Sequence, residues 1–184
     1  MTVPRRDTGR IGRTTLILPG LYDSGPEHWQ SHWERSGPPF KRVRHRNWET
    51  PDRQERVATL DAAIAEAIGE ILLVAHSTAC ALVAFWAAGS GRPIRGALLV
   101  GPSDTEAPTY PVGPTGWQPM PLQRLPFPSV VVASSNDEYV SLARAEHFAR
   151  EWGSRFVDAG ALGHINSASD LGDWPEGRAL LESL

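Results

Sequence analysis

Ile71-Leu72-Leu73-Val74-Ala75-His76-Ser77-Thr78-Ala79-Cys80-Ala81-Leu82-Val83-Ala84 is apolar from end to end except for three polar residues at its centre. Ile71–Ala75 is short and branched, the character of a strand covered on both faces. Thr78–Ala88 continues apolar for too long to be a second strand and predicts a deeply buried helix. The residues between must therefore turn a strand into a helix within a very few positions. Such a turn needs small side chains two places before and two after its centre, where strand and helix approach each other, and Ala75 and Ala79 flank Ser77 at those places. Glycines, the usual occupants, are absent, and each alanine adds one methyl group. The N–H of Thr78 then opens the helix and points toward any negative charge that develops beside Ser77. A plainer explanation of the same residue is an N-cap on a core helix.

Outward from this centre, apolar runs alternate with helical patterns, which predicts a parallel α/β sheet. Thr14–Leu18, Ala97–Val100, Ser129–Ala133 and Arg155–Asp158 read as further strands, and the basic Phe40–Asn47 as a weaker one toward an edge. Ser24-Gly25-Pro26-Glu27 carries a capping-box pattern ahead of Trp29 and Trp33, which share a helical face. Asp52-Arg53-Gln54-Glu55 repeats the start signal before the stripe Val57, Leu60, Ile64 and Ile68. Leu142–Trp152 carries another stripe, and Asp173-Trp174-Pro175-Glu176 opens the last helix. Between Pro102 and Pro128 lie eight of the sixteen prolines, so an extended loop is expected there. A loop of that length within a domain is commonly functional.

With 184 residues, one domain over 14–184 preceded by a tail at 1–13 is expected. Hydrophobic residues at 41% and charged residues at 21% place the chain among globular proteins rather than disordered ones. A net charge of −3 argues against a general nucleic-acid binder, which would show a basic surplus. One cysteine, Cys80, leaves no internal disulfide and reads as a small core residue. No apolar run approaches the ~20 residues of a membrane span. The basic start, Met1 to Thr14, lacks the apolar stretch of a signal peptide, so a cytoplasmic location is expected.

Candidate chemistry gathers at strand ends. Asp137 follows Val130–Ala133 directly, and His164 lies in a glycine-flanked loop beyond Arg155–Asp158. With Ser77 they fall in the chain order serine, acid, histidine of an α/β-hydrolase triad. Each also has a bland explanation, Asp137 as a cap for Leu142–Trp152 and His164 as a surface ring. In the triad geometry His164 takes the serine proton and Asp137 holds the imidazole. A second oxyanion donor is expected in the loop after the first strand, where Pro19 has no N–H and Leu21 is the candidate. Asp104, beyond another strand end, stands as an alternative acid or a substrate contact. Tyr22, Trp29, Tyr110, Trp117 and Met120 are candidate pocket walls. His28 and His32 are spaced like two zinc ligands but lack a glutamate between them and a third ligand, so a solvated or pocket-rim pair is expected. His76 is expected to pack locally, and Lys41–Arg46 to be a solvated edge. Gly12, Gly20 and Gly25 do not fall at the spacing of a phosphate loop.

Three longer stretches resemble one family. They are Pro19-Gly20 with Ser24–Gln30, Leu125–Ser129 leading into Ser134–Asp137, and Gly163–Asn166 with Leu171–Gly177. In these the chain resembles the small single-domain serine hydrolases, a family that includes a human retinoblastoma-binding protein and many bacterial members. It departs from that pattern at Ala79, where a glycine is usual, and at Glu138, where a proline is. The resemblance implies a compact α/β-hydrolase fold, a mostly parallel sheet with helices on both faces and no helical cap. It also implies a Ser77–His164–Asp137 triad. The activity expected of that set is cleavage of small carboxylic esters through an acyl-enzyme, with amides or thioesters as neighbouring chemistry. No cofactor, metal, nucleic acid or membrane is expected to take part. The competing expectation is a non-catalytic or weakly active protein-binding module on the hydrolase fold.

Overall fold

The buried apolar runs become one six-stranded parallel sheet. A computed structural model describes residues 12–184. Its strands are β1 (Arg13–Leu18), β2 (Phe40–Arg42), β3 (Glu70–His76), β4 (Gly96–Val100), β5 (Ser129–Ala133) and β6 (Arg155–Asp158). They lie in the order β2-β1-β3-β4-β5-β6, every neighbour parallel. The chain moves from β1 out to the edge strand β2 and returns to place β3 on the other side of β1. That reversal leaves a crevice above the carboxyl ends of β1 and β3, where ligands bind in such sheets. Residues 1–11 of the expected tail lie outside the described residues, and β1 already begins at Arg13.

Among the described residues five α-helices cover both faces: α1 (Trp29–Arg35), α2 (Arg53–Glu66), α3 (Thr78–Gly89), α4 (Leu142–Trp152) and α5 (Pro175–Glu182). Side chains alternate across a strand, so each face receives every second residue. Ile17, Val74, Val100 and Val132 meet Trp29 and Trp33 of α1, Leu181 of α5, and Trp174 just before α5. Leu16, Leu73, Leu99 and Val131 meet Leu60 and Ile64 of α2, Trp86 of α3, and Phe148 and Trp152 of α4. The sheet and its two helical layers form the α/β-hydrolase fold. Between β4 and β5 residues 101–128 form no helix, so no helical cap is inserted there.

Several local expectations change. Ser24 does not cap α1: the N-cap is His28, whose side chain accepts from the Gln30 N–H. Ser24 Oγ instead donates to Gln30 Oε1 at 2.7 Å, and Gln30 Nε2 donates to the carbonyls of Leu18 and Val74. The residue read as a cap thus helps tie the loop to the ends of β1 and β3. The basic run is not wholly solvated, because Arg42 is buried between Asp23 and Glu34 and donates to Ser31 Oγ. β2 is shorter than the basic stretch and lies at the edge as expected. Ile68 falls beyond the end of α2 and stands 79% exposed, so the apolar stripe stops at Ile64. Among the described residues no helix is long and apolar enough to cross a membrane.

These positions separate pattern from packing. Leu60→Ala is expected to lower the unfolding free energy by about 2–5 kcal/mol, as for other leucines cut from a core. Ile68→Ala, from the same sequence stripe, is expected to change it by about 0.5 kcal/mol or less. Urea denaturation of both variants measures the difference.

Candidate active site

The turn from β3 into α3 places Ser77 at φ 60° and ψ −130°, a region that non-glycine residues rarely occupy. The strain is held from both sides, since the Ser77 N–H donates to the Val100 carbonyl at 2.9 Å and its own carbonyl accepts from Cys80 N–H. Ala75 and Ala79 are fully buried against this turn, so their methyl groups are accommodated. Gly20 explains how close the neighbouring loop comes. A Cβ at that position would sit 2.7 Å from Ser77 Cβ, which leaves glycine as the residue that fits. Cys80 is fully buried with its thiol pushed far up by burial, as expected of a core residue.

The histidine and acid arrive on loops that are bonded to each other. Ser134 Oγ accepts from the Leu162 N–H and donates to Asn136 Oδ1, which in turn accepts from the Gly163 N–H at 2.7 Å. This fixes the loop after β5 against the loop after β6. Asp137 then accepts from His164 Nδ1 at 2.8 Å, with its side chain wholly buried, and its other oxygen accepts from the Tyr139 N–H. A Cβ at Gly101, where φ is +54°, would come within 3.5 Å of both Asp137 Oδ2 and His164 Nδ1. Because a carboxylate only accepts, His164 carries its proton on Nδ1 and leaves Nε2 free to accept. Ser77 Oγ lies 2.9 Å from that nitrogen. The Ser77 proton points to His164, so Ser103 Oγ, 2.8 Å away, is the donor to Ser77 Oγ. Three residues distant in sequence thus form one hydrogen-bonded chain, with a further hydroxyl on the Ser77 oxygen.

A row of buried rings stands behind His164. His76 lies 4.8 Å from it and His28 lies 4.7 Å from His76, centre to centre. His76 Nε2 donates to the His164 carbonyl at 2.9 Å, holding the backbone of that loop. His28 Nδ1 accepts from Gln30 N–H, which puts the proton of its neutral ring on Nε2. Burial, with help from Arg42, pulls His28 down to about 3. Burial next to His28 and His164 takes His76 well below the usual imidazole range. Neither ring therefore competes for a positive charge placed on His164.

Above these residues lies a cavity of about 390 Å³ bordered by Leu21, Tyr22, Ser77, Thr78, Tyr110 and Tyr139. Among the described residues neither the Leu21 nor the Thr78 N–H meets a protein acceptor. Three expected walls are absent from it. Trp29 is fully buried between Trp33 and Trp174, with its Nε1–H on the Ile165 carbonyl. Trp117 and Met120 are drawn into the core, Trp117 with its Nε1–H on the Pro51 carbonyl. In each case a large apolar surface gains more from burial under the loops than from lining a wet crevice. Asp104 does border the cavity, but Arg144 binds its carboxylate at 2.9 Å and 3.3 Å, and His164 has Asp137 as its partner. His28 and His32 separate, His28 buried beside the cavity and His32 facing Asp173 and Glu27 at the surface. Ser103, Tyr139 and Asn166 border the cavity without having been singled out in the sequence. Ser103 follows β4 as Asp137 follows β5, a strand-end signal that the neighbouring Asp104 obscured.

The serine hydrolase family model matches residues 15–183. The chain belongs to the serine hydrolase family. A protein from Pectobacterium atrosepticum named as a YdeN-like hydrolase is 31% identical, with a TM-score of 0.81 over 93% of this chain and 90% of its own. The ydeN gene product from B. subtilis is 17% identical, with a TM-score of 0.77 over 93% and 97%. An esterase domain from Rhodothermus marinus is 13% identical, with a TM-score of 0.67 over 97% and 88%; these last two likenesses speak for the fold. Among curated proteins none matches the chain.

The buried rings set a pH dependence of stability. His28, His76 and His45 (burial pulls the last down to about 4) remain neutral in the folded chain but take up protons once unfolded. Stability is expected to be full above about pH 6.5, the unfolded histidine value, and to decline as the pH falls toward 4 and then 3. Urea midpoints across that range check it. His28→Asn, which still caps α1, is expected to make the decline shallower.

Proposed function

We propose that the protein hydrolyses small carboxylic esters through an acyl-enzyme on Ser77, with His164 as general base and acid and Asp137 as its orienting partner. The observation that carries this reading is the unbroken chain from Ser77 Oγ to His164 Nε2 and from His164 Nδ1 to Asp137, at 2.9 Å and 2.8 Å. Ser77 Oγ attacks the ester carbonyl while its proton passes to His164 Nε2. Asp137 keeps the ring in the right tautomer and stabilises the imidazolium. The N–H groups of Leu21 and Thr78 receive the carbonyl oxygen as it becomes an oxyanion. The intermediate collapses as His164 returns the proton to the departing alcohol. Water, activated by the same ring, then releases the acid and restores Ser77. Ser103, donating to Ser77 Oγ, supports negative charge on that oxygen and keeps it from rotating away from His164.

The pocket favours a modest acyl group. Its volume of about 390 Å³ lies near the low end of ligand cavities, and the rings of Tyr22, Tyr110 and Tyr139 give it apolar walls. Fluorophosphonate labelling with mass-spectrometric mapping tests the nucleophile, and a panel of short-chain esters, thioesters and amides tests the substrate. Labelling is expected at Ser77 alone and is expected to vanish in Ser77→Ala. Ester kcat is expected to fall about 10⁶-fold in Ser77→Ala and about 10⁴-fold in Asp137→Asn. A folded wild-type protein that neither labels nor turns over any of the panel overturns the reading and leaves a binding module on a hydrolase fold.

A further inference from the structure

Arg56 breaks the pattern of its own helix. It shares the buried face of α2 with Leu60 and Ile64 at four-residue intervals, and it is only 1% exposed. Among the described residues no carboxylate lies within ion-pair distance of it. A buried guanidinium with no carboxylate in ion-pair distance is costly, and among the described residues its Nε–H meets no acceptor, so what compensates the charge is the set of partners of its two terminal nitrogens. They are carbonyl oxygens and a ring. Nη1 donates to the Pro19 carbonyl at 3.4 Å and the Gly20 carbonyl at 3.3 Å, Nη2 donates to the Asn47 carbonyl at 3.3 Å, and the Trp48 ring lies 5.0 Å from Cζ. Although burial pulls Arg56 down to about 10, it remains charged at neutral pH.

The carbonyls it holds belong to the loop that brings Leu21 to the cavity. The Gly20–Leu21 peptide is trans, so its carbonyl and its N–H point in opposite directions across one plane. With the Gly20 oxygen turned to Arg56, the Leu21 N–H is turned away from it. Leu21 borders the cavity, and Gly20 is pressed against Ser77. The next peptide is anchored as well, by Tyr22 N–H on the Trp48 carbonyl at 2.8 Å. Were the plane reversed, a carbonyl dipole would face the position where negative charge develops, and the buried guanidinium would face an N–H. We propose that Arg56 is a positioning residue for the oxyanion hole, holding the Gly20 carbonyl back so that the Leu21 N–H faces the reacting carbonyl oxygen. This rests on the ester-hydrolase reading above and adds to it a requirement for a buried charge outside the triad.

The consequence differs from that of a residue needed only for folding. Substrate in its ground state makes little use of the hole, whereas the tetrahedral state depends on it. Arg56→Met and Arg56→Lys are compared with wild type using a short-chain p-nitrophenyl ester and an alkylboronic acid. The boronic acid mimics the tetrahedral state: Ser77 Oγ bonds to boron while the serine proton passes to His164. In Arg56→Met, kcat is expected to fall about 100-fold, the loss typical of one oxyanion donor, with KM within about twofold. Boronate affinity is expected to fall in step with kcat/KM, and Arg56→Lys to recover part of both. Arg56→Met that is folded by circular dichroism and keeps wild-type kcat and boronate affinity overturns the proposal. A second measurement needs no variant: in wild-type protein the Leu21 and Thr78 amide protons are both expected to move downfield when the boronate adduct forms. Movement of Thr78 alone overturns the assignment of Leu21 and of Arg56 while leaving the ester-hydrolase reading intact. Absence of both adduct and ester turnover means instead that the ester-hydrolase reading has failed.

Discussion

Everything at the carboxyl edge of the sheet is arranged around a backbone that reverses within one residue. Ser77 at φ 60° lifts its hydroxyl out of the sheet, and that conformation survives because the elements on both sides cannot move. β3 is hydrogen-bonded between β1 and β4, and α3 is apolar through nearly its whole length and buried against α2 and against Trp117 and Phe127 of the loop between β4 and β5. The core therefore does more than stabilise the domain. It stores the strain that keeps a serine poised, a use of rigidity common where the local conformation is unfavourable. Gly20 on one side and Gly101 on the other then let neighbouring backbone come close enough to serve that hydroxyl and its histidine.

A second principle is the disposition of charge. Asp137 is a buried carboxylate answered by His164, which has the correct tautomer only because that carboxylate accepts. Behind it His76 and His28 are kept neutral by burial, so the imidazolium of the proposed mechanism would meet no like charge there. On the other flank Arg56 is a buried cation answered by carbonyl dipoles rather than by an acid. The site thus has a positive group near the loop after β1 and a negative one beyond the histidine. That is the sense of polarity the proposed mechanism requires, with an oxyanion on one side and an imidazolium on the other.

The sheet was legible because its strands are continuous apolar runs and its helices begin with recognisable signals. Asp52 caps α2, and Ser129–Ala133, Leu142–Trp152 and Arg155–Asp158 have the bounds their patterns predict. Ser77, Asp137 and His164 could be chosen because each lies just past a strand, and parallel strands all end at the same edge. Other positions were misleading for a physical reason. Trp29, Trp117 and Met120 have the size of pocket walls, but apolar area alone does not say which surface will cover it. Ser24 has the chemistry of a cap, yet its hydroxyl was captured by Gln30 from the next turn of chain.

By itself the sequence determined the layers, the strand-end placement of the serine, acid and histidine, and the family to which the chain belongs. These depend on periodicity and on order along the chain, both of which are local or one-dimensional properties. Only the tertiary structure decided which side chains meet: that Ser103 reaches Ser77, that Asp104 is taken by Arg144, and that Arg56 grips the loop after β1. Partners such as Arg56 and Gly20 lie 36 positions apart, and their encounter depends on how α2 packs across the sheet. No pattern of residue types within either segment encodes that contact. It follows from the packing of the whole domain.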